Sequence, residues 1–543
     1  MNRWMTRSLA ILTVFAMVFL AACGAGGDSN KEAKDQVLNL GYMASEPPSL
    51  DPAKATDDQS GIVLRHVMEG LANVDEEGNP TPGVAEKWEE SKDGTKITFH
   101  LRDAKWSNGD PVKASDFEYA WKHVLDPETA AEYANQLFYL KNGEKYNAGK
   151  AKAKDVGVKA VDDKTLEVEL EKPTPYFVAL TAFYTLLPVN EKVAKENGKW
   201  HSEAKSYVSN GAFTLDEWKH DSKITLKKNK DYWQADKVKL TQINLPFHND
   251  QKTAYQLYQS GELDAGNSNT IPTDMTKKLL DEGKAKRKDK LGTYAYLYNV
   301  EEKPFNNAKI RKAFSMALDR QAIVDEILQN GAIPANGWVP KGMPDFDSGK
   351  DWTESHDEKY IEPTPQAKEA KKLLKEGMKE EGWDKLPTVS LEYNTDEGHK
   401  KIAEAAQQMI KKNLGVDVKL ANSEWKVFLE KLNTGDFQMA RYGWLPDYID
   451  PMSYLDMWVT GDGNNSTNFS NKEYDKLIKE AKSTADQKKR MAALHKAEDI
   501  LMDEMPFAPV YNYAEVYQHK DNVKNIIIKK DSSWDLRFAY LTE

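Results

Sequence analysis

Hydrophobic periodicity along the chain switches repeatedly between two and 3.6 residues, and the order of the switches predicts the elements. Val37-Leu-Asn-Leu40 reads as a first strand, and residues 61–71 as a helix ending near Gly70. Ile97, Phe99 and Leu101 alternate with polar residues, as do Leu166, Val168 and Leu170, so each set predicts a half-buried strand. Ser115-Asp-Phe-Glu118 has the spacing of a capping box, and behind it Phe117, Ala120, Trp121, Val124 and Leu125 share a helical face. Ser209 to Phe213, Trp218 and Ile224 to Leu226 predict further strands and turns. Tyr294, Tyr296 and Tyr298 fall on one face of one strand, which reads as core, as sheet surface or as a cavity wall. A helix follows through Ile310, Phe314 and Leu318. Asp319 is placed to cap another that stops at Gly331, and residues 334–365 are rich in Pro and Gly, as in a long loop.

From Val389 the pattern is strand, helix, strand. Val389 and Leu391 lead into a helix through Ile402, Ala406 and Ile410, which Gly415 ends; Val416 to Leu420 is the next strand. Ser423 is placed to cap a helix bearing Trp425, Phe428 and Leu432, and Phe437 to Ala440 is a further strand. Such alternation predicts an α/β fold with a largely parallel sheet, whose sites lie at the C-terminal ends of its strands. At one such end stands Arg441-Tyr-Gly-Trp-Leu-Pro-Asp447-Tyr-Ile-Asp450-Pro451. Pro446 and Pro451 bias Leu445 and Asp450 away from helix. One cation, three aromatics and two acids in eleven residues suit a cleft wall that grips a ligand with both charge signs and a backbone; the alternative is a surface loop in which Asp450-Pro451 starts a helix.

Composition narrows the possibilities. A chain of 543 residues is too long for one core, so two or three domains are expected. The net charge of −11 argues against nucleic acid as a partner. Residues 1–22 carry Arg3 and Arg7, then a mostly apolar run from Leu9 to Leu20 that is too short to span a bilayer comfortably, as in a secretory signal. Leu20-Ala-Ala-Cys23 closes it and resembles a bacterial lipobox, in which cleavage precedes a cysteine that is then diacylated. Cys23 is the sole cysteine, so intrachain disulfides and thiolate metal sites are excluded. Two acyl chains suffice for stable attachment to a membrane, which places the protein on the outer face of the cell membrane.

Catalytic signatures are missing. The chain has no Gly-x-Ser-x-Gly, no His-Glu-x-x-His and no phosphate-binding loop pattern. Asp462 to Glu473 nearly matches a calcium loop, but Thr467 stands where the sharp turn wants glycine, and Ser470 with Glu473 reads as a capping box. No cofactor and no metal are expected.

Ordered short matches then bring in a resemblance: Pro48 to Pro52, Glu69-Gly-Leu71, Lys105 to Val112, Ser115-Asp-Phe117, Ser209 to Phe213, Asn306 to Asp319, Asn413 to Val416 and Gly443 to Pro451. Together they cover nearly the whole mature chain and resemble the oligopeptide-binding lipoproteins that serve ABC importers. The resemblance implies a two-lobed periplasmic-binding-protein-like fold with an extra third domain and a ligand cleft between the lobes. It divides the chain into a signal peptide (1–22), a flexible tether (23–36), lobe I (37–68, 195–297 and 515–543), an inserted domain (69–194) and lobe II (298–514). It implies that Asp447 pairs with a peptide α-ammonium and that Gly443, Trp444 and Leu445 face Thr56, Asp57 and Asp58 across the cleft to bond the ligand backbone. Tyr133 would reach in from the extra domain. Arg441 and His399 would meet the ligand C-terminus, and Tyr294, Tyr296 and Trp425 would add to the wall. One basic position of that family falls at Leu432 here, so the preferred peptide length is expected to differ. The implied partners are an oligopeptide and the membrane permease and ATPase of an ABC importer. Alternatives are a receptor for dipeptides, murein peptide or a metal chelate and, in a different class, a secreted hydrolase.

Overall fold

The computed structural model describes residues 31–356 and 359–543. The lipobox and Cys23 lie outside the described residues. Among the described residues, no helix is long and apolar enough to cross a membrane.

One mixed sheet of eleven strands runs through the molecule. Across it the order is Val418–Ser423, Val389–Asn394, Met439–Trp444, Lys286–Tyr298, Phe507–His519, Ala265–Gly266, Val37–Gly41, Gln242–Pro246, Lys223–Lys228 and Phe213–Lys219, with Ile333–Pro334 pairing off this path onto Phe507–His519. The predicted parallel strands are there: Val389–Asn394 pairs in parallel with both Val418–Ser423 and Met439–Trp444. The sheet as a whole is mixed, because Met439–Trp444 then meets Lys286–Tyr298 in antiparallel fashion. The two longest strands of this sheet, Lys286–Tyr298 and Phe507–His519, pair antiparallel near its middle, and their pairing breaks register between Asp289 and Thr293 and again between Tyr294 and Ala295.

The extra layer is a separate antiparallel sheet in the order Ala85–Glu90, Lys96–Leu101, Thr165–Glu169, Val158–Asp162, against which helix Ala114–Leu125 packs its apolar face. That helix begins one residue ahead of the predicted box, and Asp116, not Ser115, does the capping work: its Oδ2 accepts from the Lys113 N–H at 3.0 Å.

Several local expectations shift for identifiable reasons. The first helix is Asp58–Val67 and not 61–71, because the Asp57 side chain accepts from the Gln59 and Ser60 N–H groups and starts it early. The helix after Asp319 ends at Leu328 through Gln329 in the left-handed region, ahead of Gly331. Ser423 remains in its strand, and helix Trp425–Thr434 starts without a side-chain cap. Asn471, not Ser470, caps helix Lys472–Lys482. Residues 31–36, expected in the tether, are bound to the C-terminal segment: Gln36 is buried and donates to the Leu541 carbonyl at 2.8 Å, and Lys31 pairs with Glu543.

Candidate ligand-binding cleft

Strand Met439–Trp444 is paired with Lys286–Tyr298 along its whole length, but on its other edge it pairs with Val389–Asn394 only at Met439 and Ala440. Beyond Ala440 the two parallel strands part. The N–H and C=O groups on that edge of Arg441 to Trp444 are left without a strand partner, in the crevice where sheets of this kind place ligands. A cavity of about 380 Å³ opens there, within the usual range of roughly 300–1,000 Å³ for ligand pockets. Gly443 is needed at this wall, since a Cβ there would lie 2.2 Å from the Tyr513 hydroxyl.

The chain leaves the sheet at Leu445-Pro446 and folds back over Ser453. The Ser453 Oγ accepts from the Asp447 N–H at 2.8 Å, and its carbonyl accepts from the Trp444 indole at 2.8 Å. One fully buried serine thus fixes the Trp444 side chain and the Asp447 backbone. Asp450 does not serve merely as a helix start. It is buried and forms a two-pronged ion pair with buried Arg490, with contacts of 2.5 and 2.9 Å, while its Oδ1 also caps Met452.

Asp447 is unlike Asp450. Its carboxylate accepts from the Tyr133 hydroxyl at 3.3 Å and from the Gln136 amide at 3.0 Å, both on the short helix Glu132–Leu137 of the inserted layer. No lysine, arginine or histidine among the described residues comes within ion-pairing distance of it. Burial, aided by repulsion from Asp456, pushes its carboxyl well above the usual carboxylate range. Asp462, which accepts from Asn135 of the same short helix at 2.7 Å, is pushed up to about 7 by burial and by Asp456.

Arg441 lies at the other end of the same edge. Its guanidinium sits 5.3 Å above the Tyr294 ring and touches the Tyr513 hydroxyl at 3.4 Å, and Nε is buried without a partner. No carboxylate pairs with it at salt-bridge distance among the described residues. His399 lines the cavity near it, half-buried and with Nδ1 unpartnered; burial and the Arg441 charge push its pKa well below the ordinary value, so its imidazole is neutral at pH 7. Leu432 lines the wall as well.

The structure brings together in this cavity Thr56, Asp57, Asp58, Tyr133, His399, Trp425, Arg441, Gly443, Trp444, Leu445 and Asp447. Two predicted wall residues are not there. Tyr294 and Tyr296 are fully buried behind the wall, Tyr294 supporting Arg441 and stacking on Tyr511 at 4.7 Å. The Asp57 carboxylate is committed to its helix and to the Trp425 indole at 3.2 Å, which leaves only its backbone for a ligand. Sequence reasoning missed Gln136, Ser453 and the 531–533 turn. Gln136 stands three residues after Tyr133, one helical turn on, and that spacing is the signal that could have found it.

The Trp425 indole donates to Asp57 at 3.2 Å and the Asn433 amide donates to Glu132 at 2.8 Å, so lining residues far apart in sequence are bonded to one another over the cavity.

Residues 79–466 match the family of bacterial extracellular solute-binding proteins, family 5 Middle. The chain is 45% identical to the oligopeptide-binding protein OppA of Bacillus subtilis over 99% of each chain. It is also 45% identical to the dipeptide-binding protein DppE of that organism, covering 94% of this chain and 93% of the other. It superposes on Listeria monocytogenes OppA bound to peptide with a TM-score of 0.87 at 36% identity, covering 94% of this chain and 100% of that one. The murein tripeptide-binding protein MppA of Escherichia coli gives 0.87 at 34% identity, covering 95% and 100%. An unliganded open form of MppA gives only 0.63 at the same identity, covering 95% and 99%.

Proposed function

The chain belongs to family 5 of the bacterial extracellular solute-binding proteins, which bind and do not catalyse, and we propose that it captures free oligopeptides in an extended conformation for an ABC importer. The observation that carries this reading is the Asp447 carboxylate, enclosed with two neutral donors and no cation. An enclosed carboxylate left without a countercharge is costly, and a peptide α-ammonium supplies the charge. The free edge from Arg441 to Trp444 supplies backbone partners, as in strand addition, and Arg441 supplies a cation for the ligand carboxylate. The ligand then runs antiparallel to this strand, N-terminus at Asp447. The two anchors are six residue steps apart, a span of at most roughly 22 Å, so a peptide held at both ends is limited to about six residues. His399, neutral, serves shorter peptides as a hydrogen-bond donor.

Closure belongs to the same proposal. The contacts of Tyr133 and Gln136 with Asp447, and of Trp425 with Asp57, exist only when the lobes meet, and the drop from 0.87 to 0.63 against the open form of MppA is the change that hinge opening produces. Attachment through a diacylated Cys23 at the outer face of the membrane, with the tether ending by about residue 30, and hand-over to a permease and its ATPase complete the reading. A dipeptide receptor is the second reading, favoured by the equal identity to DppE. Incubation with a mixed peptide pool followed by mass spectrometry tests both. Retained intact oligopeptides are expected; retention of dipeptides alone supports the second reading, and truncated products refute a receptor.

A further inference from the structure

This inference rests on the peptide reading and concerns how the ammonium end of the cleft is assembled. The 462–473 segment, which nearly matches a calcium loop, spends its first acid on other partners. The Asp462 Oδ1 accepts from the Asn464 N–H of its own turn at 3.0 Å, and its Oδ2 accepts from the Asn135 amide at 2.7 Å. The turn is held from within. The Asp462 carbonyl accepts from the Asn465 N–H at 3.0 Å. The buried Asn465 amide donates to the Phe469 carbonyl at 2.8 Å, and its Oδ1 accepts from the Thr467 hydroxyl at 2.9 Å.

Against this turn lies the short helix Glu132–Leu137, the element that carries Tyr133 and Gln136 to Asp447. Its own chain does little to hold it: Ala131 gives no side-chain cap, and Tyr133 departs from helical geometry at φ −89° and ψ 19°. Its hydrogen-bonding side chains instead meet residues 433–462: Glu132 bonds Asn433, Tyr133 and Gln136 bond Asp447, and Asn135 bonds Asp462. The helix backbone also rests on Gly463. A Cβ there would stand 2.4 Å from the Glu132 carbonyl oxygen and 2.9 Å from the Glu132 Cα, where packed carbons keep roughly 3.5–4.0 Å. The atoms in the way are backbone, so no side chain can swing aside to make room. The φ of Gly463 is not in the left-handed region, so the close approach, and not the turn, requires a glycine here.

We propose that Asp462 and Gly463 are positioning residues for the ammonium site: they form the seat on which the short helix docks, and docking brings Tyr133 and Gln136 onto Asp447 as a peptide is enclosed. Asp462 fixes the helix by a bond to Asn135, and Gly463 admits its backbone. The seat acts through the helix, so it sets affinity for peptides of different side chains alike.

The test is calorimetric titration of the native protein, Gly463→Ala and Asn135→Ala with Ala-Ala-Ala and Ala-Phe-Ala, with thermal melts to check folding. Both substitutions are also made in a background carrying Tyr133→Phe and Gln136→Leu. Gly463→Ala should weaken both peptides by about tenfold or more and by the same factor, with less compaction in small-angle scattering at saturating peptide. Asn135→Ala leaves the turn intact and removes only the bond to a carboxylate; it should cost about tenfold. In the Tyr133→Phe, Gln136→Leu background both losses should shrink to within about threefold, because the contacts that the seat positions are already gone. Native affinity in a folded Gly463→Ala protein overturns the proposal. So does a loss confined to Ala-Phe-Ala, which would mean that the added methyl only crowds the ligand, and so does a loss kept in full in the double-substituted background. If Gly463→Ala does not fold, Asn135→Ala decides alone, and undiminished affinity there overturns the proposal. In all these cases the native protein still binds Ala-Ala-Ala and the receptor reading stands; a native protein that binds neither peptide sinks both.

Discussion

Replacing Asp447 by Asn keeps the shape of the side chain and removes its charge. In the closed protein this carboxylate keeps two neutral donors, Tyr133 and Gln136, and takes its countercharge from the ligand. Breaking one side of an enclosed ion pair costs ~3–5 kcal/mol, mostly because the other charge is stranded. Here the stranded charge is the ligand ammonium, so free-amine peptides should lose affinity on the order of 10²–10³-fold. N-acetylated peptides bring no ammonium; they should bind the native protein poorly and respond far less to the substitution. Closure without a ligand should move the other way. Burial raises the Asp447 pKa in the closed form, so closing without a ligand carries a cost at neutral pH that is absent at acid pH, where the group is protonated. At pH 7.5 ligand-free Asp447→Asn should therefore close more readily than the native protein and give a smaller radius of gyration. Calorimetry of both proteins with one peptide in free and acetylated forms, alongside small-angle scattering without ligand, makes the check. Equal losses for the two forms of the peptide would remove Asp447 from the ammonium site.

Asp450→Asn should do the reverse, lowering stability by ~3–5 kcal/mol in denaturant unfolding because it strands buried Arg490, while the folded fraction keeps its affinity within a few-fold; a stability unchanged from native would show the pair to be dispensable. Affinity for free-amine peptides should fall at acid pH, where Asp447 must release a proton to pair with the ligand, with that release measurable in buffers of different ionisation enthalpy, and should fall again above about pH 8 as the ligand amine loses its proton. Acid-pH binding with neither weakened affinity nor proton release would contradict that linkage. Small-angle scattering should show a smaller radius of gyration with saturating peptide than without, and identical profiles would count against hinge closure.

What was legible in the sequence was what local physics determines. The strands at Val37, Ile97 and Val389 and the helix ended by Gly415 follow from periodicity and caps, and they stand within a residue or two of where the pattern puts them. Element starts were less legible. Asp57 and Asp116 bond backbone groups that periodicity does not reveal, and each draws its helix earlier than the apolar pattern alone suggests. In the site, Asp447 and Asp450 look alike in sequence, three residues apart and each near a proline. The difference between them is made by Arg490, forty residues on, and by Tyr133, more than three hundred residues back. Tyr294 and Tyr296 read as possible wall because strand alternation gives a face but not what covers it; the covering is supplied by distant elements, including Tyr511 and His399. Asp531 and Ser532 lie in a short turn with no periodic signal at all, and only the closed fold brings them to the cleft.

The central claim is that Asp447 and the free edge after Ala440 hold a peptide between closed lobes. A crystal structure with a free-amine tripeptide or tetrapeptide tests it most directly. The account predicts a ligand nitrogen within about 2.7–3.2 Å of the Asp447 carboxylate, backbone bonds to the Arg441–Leu445 segment in antiparallel sense, and the ligand carboxylate directed towards Arg441 or His399. A ligand bound in the opposite direction, or one held elsewhere with Asp447 still lacking a cation, would contradict it.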